Sequence, residues 1–337
     1  MNLKQTPAFW LKTTAIIIVL FCVGLNAVRL ACRKYWFESL PNTPEVIHGP
    51  SAATLTNGQT VVFSVSHADN WSKTKQTYSF DLPSRTFNSM PDFELFNNKG
   101  ELNKNIPVHG NEVLLGRLLC LRSKRLKGLE GKNGVCLSDG KVLVVGGKRK
   151  STPPADSHNK YPDSQGGYSD LNDGHYYLLD PKTDALEDLG AMVKPRCNVS
   201  LTMLSNNQIL VSGGQMDATY PTKTLNDIEL FNYATKQAKV LSPMSIPRYA
   251  HCATLLKKQM VLITGGSIYN TSLDEAELYD ADSGKSILLP SMRYRCRFHC
   301  SHKLSDKHVL LVGGQVIEPT STDGGPEVSN AQLFCSK

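Results

Sequence analysis

Short apolar runs, each stopped by two glycines, recur along the chain: Val142-Leu143-Val144-Val145-Gly146-Gly147, Ile209-Leu210-Val211-Ser212-Gly213-Gly214, Val261-Leu262-Ile263-Thr264-Gly265-Gly266 and Val309-Leu310-Leu311-Val312-Gly313-Gly314. Windows starting at Asn133, Ser200, Cys252 and Cys300 align without gaps and share Leu137, Leu204, Leu256 and Leu304 ahead of a polar turn. The pattern predicts one β-hairpin written four times. A fifth copy starts at Ser51, with the turn Asn57-Gly58 and the strand Val61-Val62-Phe63, but carries Ser64-Val65 where the glycines stand in the others.

A second phrase follows the first, at Phe80-Asp81-Leu82-Pro83-Ser84, Leu179-Asp180-Pro181-Lys182-Thr183, Phe231-Asn232-Tyr233-Ala234-Thr235 and Tyr279-Asp280-Ala281-Asp282-Ser283. A large residue leaves a strand, and Asp or Asn opens the turn through its side-chain oxygen. Two hairpins per period give a four-stranded antiparallel sheet every ~40–50 residues, the unit of a β-propeller.

The strand, the glycine pair, the aromatic strand and the turn from Asp or Asn to Ser or Thr together resemble Kelch repeats, most closely those of the galactose-oxidase-type propeller. The resemblance runs from about residue 45 to the C-terminus and implies an all-β propeller. The glycines read as backbone geometry, or as close approaches that a Cβ would obstruct. No Gly-x-Gly-x-x-Gly opens a helix, so they are not a phosphate cradle.

Blade number turns on the spacing of the second phrase. Positions 81, 180, 232 and 280 are 99, 52 and 48 residues apart, so the first interval has room for two periods. Part of it, residues 148–173, is rich in Pro, Ser, Asn, Asp and Gly and reads as an insertion within a blade. Val113-Leu114-Leu115-Gly116 looks like a worn copy of the first phrase, with Leu118–Leu121 as a further strand. Six blades are expected, five recognisable and one degenerate; five blades with a long excursion is the alternative.

Residues 15–28 form an apolar run flanked by Lys4 and Lys12 before it and by Arg29, Arg33 and Lys34 after it. It is short of the ~20 residues of a spanning helix, and Phe9, Trp10 and Leu11 extend it. No small residue stands two before Ala27, where a cleavage site prefers one, so the reading is an uncleaved signal anchor over 1–34, with a removed signal peptide as the alternative. The expected protein is single-pass with its propeller extracytoplasmic, although the flanking charges nearly balance and leave the orientation unread. Residues 35–44, with Pro41 and Pro44, read as a stiff connector ahead of a propeller over 45–337. The last copy stops at Lys337 before a fourth strand, and Glu45–His48 is the segment expected to fill it.

Composition narrows function mainly by exclusion. The net charge of +7 is local, because residues 99–150 hold twelve Lys or Arg against four Asp or Glu, and no nucleic-acid motif accompanies them. Of the nine cysteines, Cys22 and Cys32 lie in or beside the apolar run; no Cys-x-x-Cys occurs and no zinc site is expected. Cys252 and Cys300 share a repeat position on neighbouring inner strands, which reads as repeat structure and not as a disulfide framework.

Ahead of three successive inner strands stand Met192-Val193-Lys194-Pro195-Arg196, Met244-Ser245-Ile246-Pro247-Arg248 with His251, and Met292-Arg293-Tyr294-Arg295 with Cys296 at the arginine position, then Arg297 and His299. The resemblance puts these segments beside the central channel. Arg196, Arg248, Arg295 and Arg297, with His251 and His299, are therefore the candidate mouth for an acidic glycan or protein segment. Struts between blades are the structural alternative. The copper ligands of galactose oxidase find no matching set, so no catalytic residue, metal or cofactor is expected. The functional expectation is a binding module, with a sialic-acid-epimerase-like or galactose-oxidase-like enzyme as the alternative. Three sequons, at Asn70, Asn198 and Asn270, matter only in a eukaryotic luminal setting, and Asn198 opens a predicted inner strand.

Overall fold

A computed structural model describes residues 34–337 except 48, 66–73, 97–102, 107–110, 112–113, 115–118, 120–122, 127–128, 150–170, 173, 205–207, 217–222, 270 and 319–324. Five four-stranded antiparallel sheets make the blades of a β-propeller. Blade one comprises Ser51–Thr54, Thr60–Val65, Thr74–Asp81 and Thr86–Ser89. Blade two runs Asn133–Cys136, Val142–Val145, His175–Asp180 and Ala185–Ala191. Blade three runs Ser200–Met203, Gln208–Ser212, Ile228–Asn232 and Gln237–Leu241, and blade four Cys252–Lys257, Met260–Thr264, Ala276–Asp280 and Lys285–Leu288. Blade five takes Cys300–Ser305, His308–Val312 and Ala331–Ser336 from the end of the chain and its outer strand, Tyr35–Ser39, from the beginning.

That closure corrects one expectation in detail. The last blade is completed by an N-terminal strand, but by Tyr35–Ser39 and not Glu45–His48, with Tyr35 opposite Ser336 and Ser39 opposite Gln332. The supposed connector thus contains a propeller strand. Phe37 supplies the reason, being buried and packed on Phe334 with ring centroids 5.5 Å apart. Ile47 is buried instead among Ala331, Leu333 and Tyr78, between blades five and one.

The sixth blade is a second correction: among the described residues there are five, and the excursion lies between blades one and two. Leu95, Phe96, Ile106 and Leu126 are buried in one cluster with Phe63 of blade one and Tyr177 of blade two, and Leu114 and Leu119 pack on it. Leu114 and Leu119, read as strand residues of a worn blade, are helical. The rest of that segment lies outside the described residues. The excursion still touches an inner strand, since the Asn111 carboxamide bonds both Thr54 N and Thr54 O at 3.1 Å, imitating a peptide group on that edge.

The glycine pairs are the joints between blades. Both members of each of the four pairs have positive φ, at 70° and 110°, 58° and 103°, 55° and 95°, and 64° and 99°. A Cβ on Gly146, Gly213 or Gly265 would sit 2.3–2.5 Å from the carbonyl oxygen of Arg196, Arg248 or Cys296 on the next blade. At this close approach Gly214 N donates to Arg248 O and Gly266 N to Cys296 O, each at 2.9 Å. No described helix is long and apolar enough to cross a membrane, and the expected anchor lies outside the described residues.

Candidate functional site

The five innermost strands surround a channel of about 1650 Å³. Its wall is mixed: Ser51, Asn133, Ser200, Cys252 and Cys300 share one register position, apolar side chains such as Val199 and Leu255 stand among them, and Lys132, Lys257, Lys258, Lys303 and Asp306 also line it. Neighbouring inner strands are joined around it: Thr202 Oγ1 donates to Ala253 O at 3.1 Å, Thr254 Oγ1 and Ser301 Oγ are hydrogen-bonded at 2.6 Å, and His302 Nε2 meets Thr54 Oγ1 at 2.8 Å.

The two mouths differ because strand direction sorts the connections. Every innermost strand starts at one end of the channel, so the hairpin turns within blades, such as Asp180–Asp184 and Asp280–Gly284, collect at the other. The glycine pairs, the long connections after them and the links between blades all gather at the first end. This loop-bearing mouth is rimmed by five residues at one repeat position, all with positive φ: Gly49, Gly131, Asn198, Ala250 and Phe298. A chain of backbone bonds links four of them, from Asn198 N to Gly131 O, Ala250 N to Asn198 O and Phe298 N to Ala250 O, at 2.9–3.0 Å. Asn198 is held in this rim with its amide against Gly131, and Ser200 of the same sequon is buried. Asn70 and Asn270 lie outside the described residues.

The six candidate residues separate into struts and rim. Arg196 and Arg248 have no exposed surface. Arg196 Nη2 bonds Glu229 Oε1 at 2.8 Å, and Glu229 Oε2 also accepts from Tyr176 Oη of blade two at 2.7 Å. Arg248 Nη2 bonds Glu277 Oε1 at 2.9 Å, while its Nη1 donates to Gly265 O and Glu275 O. Burial pulls the Arg248 pKa below the usual arginine value, and the Glu277 carboxylate opposes that pull. Each of these two arginines, offered by the sequence as part of a ligand mouth, thus holds a carboxylate inside the sheet stack with no exposed surface. Blade five shows the same logic in reverse. Where Arg becomes Cys296, Glu becomes Gln332, whose neutral amide accepts from Arg293 N at 2.8 Å and donates to Tyr294 O at 3.3 Å. Burial pushes the Cys296 thiol up to about 12, so it stays uncharged in that slot.

His251 and His299 are latches of a related kind. His251 Nε2 meets Ser212 Oγ at 2.9 Å and His299 Nε2 meets Thr264 Oγ1 at 3.0 Å, each reaching the residue before the previous blade's glycine pair. Among the described residues no group reaches either Nδ1, which assigns the proton to Nε2, since a buried bare lone pair costs less than a buried unpaired N–H. At the same repeat position blade three has Val199, packed in one apolar cluster with Val145 of blade two. The latch is polar on polar or apolar on apolar.

Burial, with Arg248 adding to it, holds His251 well below its ordinary value and His299 at about 4; burial alone holds His302 at about 4. The unfolded chain takes up protons below about pH 6.5 that the folded chain refuses. Stability should therefore fall by about 1.4 kcal/mol per pH unit for each of these histidines as pH drops below about 6.5, and the contributions of His299 and His302 should level off below about 4. Thermal melts across this range check it, and a variant copying the apolar latch, His299→Val with Thr264→Val, should flatten the slope. An unchanged slope in that variant sinks the latch reading.

Arg297 directly precedes the rim residue Phe298, and Arg295 lies two residues further back on the link between blades four and five. Arg295 pairs with Glu318 at 3.2 Å, both side chains well exposed. The half-buried Arg297 donates Nη1 to Tyr249 Oη at 3.2 Å, and its guanidinium lies over the Phe298 ring, 5.3 Å from the centroid. Phe298 is 42% exposed, and Tyr269 on the same mouth is 73% exposed. The sequence reading missed Phe298 and Tyr249; the signal for Phe298 was an aromatic at a rim position whose siblings are Ala250 and Asn198, while Tyr249 shares its repeat position with Cys197 and Arg297. None of the six described cysteines is in a disulfide, and no group of three or more His, Cys, Asp or Glu among the described residues is gathered to hold a metal ion. No family model matches this chain, and no curated protein matches it either.

Proposed function

We propose that the chain is a membrane-anchored Kelch-type propeller that binds an acidic glycan or an acidic protein segment at its loop-bearing mouth. The observation that carries this is the cluster at blade five, where a guanidinium, an exposed aromatic ring and a phenol, Arg297, Phe298 and Tyr249, meet on the rim of an open channel. A guanidinium offers paired donors to a carboxylate, and the ring face offers apolar surface to a sugar ring or side chain beside it. Arg295 adds a second cation on that rim, shared with Glu318. The Kelch relationship rests on the four glycine pairs, each used at the same joint, and the anchor on the apolar run at 15–28. An arrangement in which all long connections share one mouth suits recognition, because loops vary without disturbing the blades.

The test is binding of the full-length chain, held in detergent micelles, to arrays of acidic and neutral glycans and to acidic peptides. Arg297→Ala should weaken binding by about tenfold or more, the loss expected for one charge-assisted hydrogen-bonding group, with a melting temperature near that of the parent. Retained affinity in Arg297→Ala and in Phe298→Ala would refute this mouth as the site.

A further inference from the structure

We infer that the turn-bearing mouth lies against the lipid headgroups and that the loop-bearing mouth is turned away from the membrane. The polarity of one strand carries this, together with the length of chain before it. In blade five the innermost strand runs from the loop-bearing mouth to the turn-bearing mouth, and three antiparallel pairings alternate the direction outward. Tyr35, opposite Ser336, therefore stands at the turn-bearing end and Ser39 at the loop-bearing end. The chain that precedes Tyr35 leaves from the turn-bearing face. Only residues 29–34 separate that point from the apolar run at 15–28, and six residues span at most about 20 Å when fully extended. So short a tether keeps the near end of the apolar run within about 20 Å of the turn-bearing end of the outer strand, which favours that face as the one beside the bilayer.

The surface at this corner fits a phosphate-bearing plane. Lys337 N donates to Lys34 O at 3.1 Å, and Ser336 N to Lys307 O at 2.9 Å, so three lysines cluster where the chain enters. Lys257 and Lys258 occupy the hairpin turn of the adjoining blade at the same end of the channel, and all five side chains are exposed. Cations beside a membrane segment are drawn to headgroup phosphates and fix the body they belong to. Ligand approach from the aqueous side then meets Arg297 and Phe298 first.

This rests on the anchoring reading of the N-terminal segment, so the experiment separates the two. The full-length chain is reconstituted into phosphatidylcholine vesicles containing phosphatidylglycerol and tested first for flotation after an alkaline wash. A fluorescent amino acid is then encoded at position 258, on the turn-bearing face, or at position 269, on the loop-bearing face, and quenched by a headgroup-attached nitroxide lipid. Quenching several-fold stronger at 258 is expected. Flotation with equal quenching at both positions, or stronger quenching at 269, overturns the orientation and leaves the anchor standing. A chain that does not float overturns both.

Discussion

Deleting residues 1–39 should give an aggregating chain, whereas deleting 1–33 should leave a monomeric, cooperatively folded propeller. The difference is the strand Tyr35–Ser39, whose backbone covers the edge of Ala331–Ser336. Without it that edge offers a row of unpaired N–H and C=O groups to any other strand, and Phe334 loses the cover of Tyr35 and Phe37. The strand also ties the two ends of the propeller, so its loss opens the ring at blade five. Phe37→Ala in the full chain isolates the packing part and should cost about 3–5 kcal/mol, the range for a buried aromatic truncated to alanine. Size-exclusion chromatography and thermal melts read both effects. A 40–337 fragment that is monomeric and melts with the parent would show that closure does not depend on this strand.

Closure by an N-terminal strand was legible because the last copy lacked a fourth strand; which segment supplies it was not. The signal was local: Tyr35-Trp36-Phe37 is an aromatic run of the kind strands favour, but Pro41, Pro44 and Pro50 dominate the segment and suggest an extended tether. The excursion between blades one and two was misread for a related reason. A short Leu-rich stretch looks like a strand by composition, yet its two described leucines, Leu114 and Leu119, are helical. The glycine pairs were read correctly because the constraint on them is a backbone one and repeats with the blade.

Site residues were harder, since the sequence fixes which residues repeat but not which way they face. Arg196 and Arg248 sit beside the channel in sequence order, yet their partners are 33 and 29 residues downstream on another strand. Comparing repeat columns would have revealed them. Glu229 and Glu277 occur in the blades that carry Arg, and Gln332 in the blade that carries Cys296. Arg297 stands outside that scheme and bonds Tyr249 Oη beside the rim.

The strut assignment makes its sharpest statement at Arg248 and Glu277. Removing either partner leaves the other charge buried, so Arg248→Cys and Glu277→Gln should each cost about 3–5 kcal/mol. The double variant copies the neutral pair of blade five and should cost clearly less than the sum of the singles, with a coupling of about 1–3 kcal/mol in denaturant unfolding. Full recovery is not expected, because Arg248 also holds Gly265 O and Glu275 O, and a cysteine reaches neither. Serine at 245 and 286 would remain able to bond the glutamine, as both bond Glu277 Oε2 in the parent. Strict additivity would mean that the two side chains do not act as a pair. Singles that keep parental stability while losing ligand affinity would return Arg248 to the binding site and reverse the division between struts and rim.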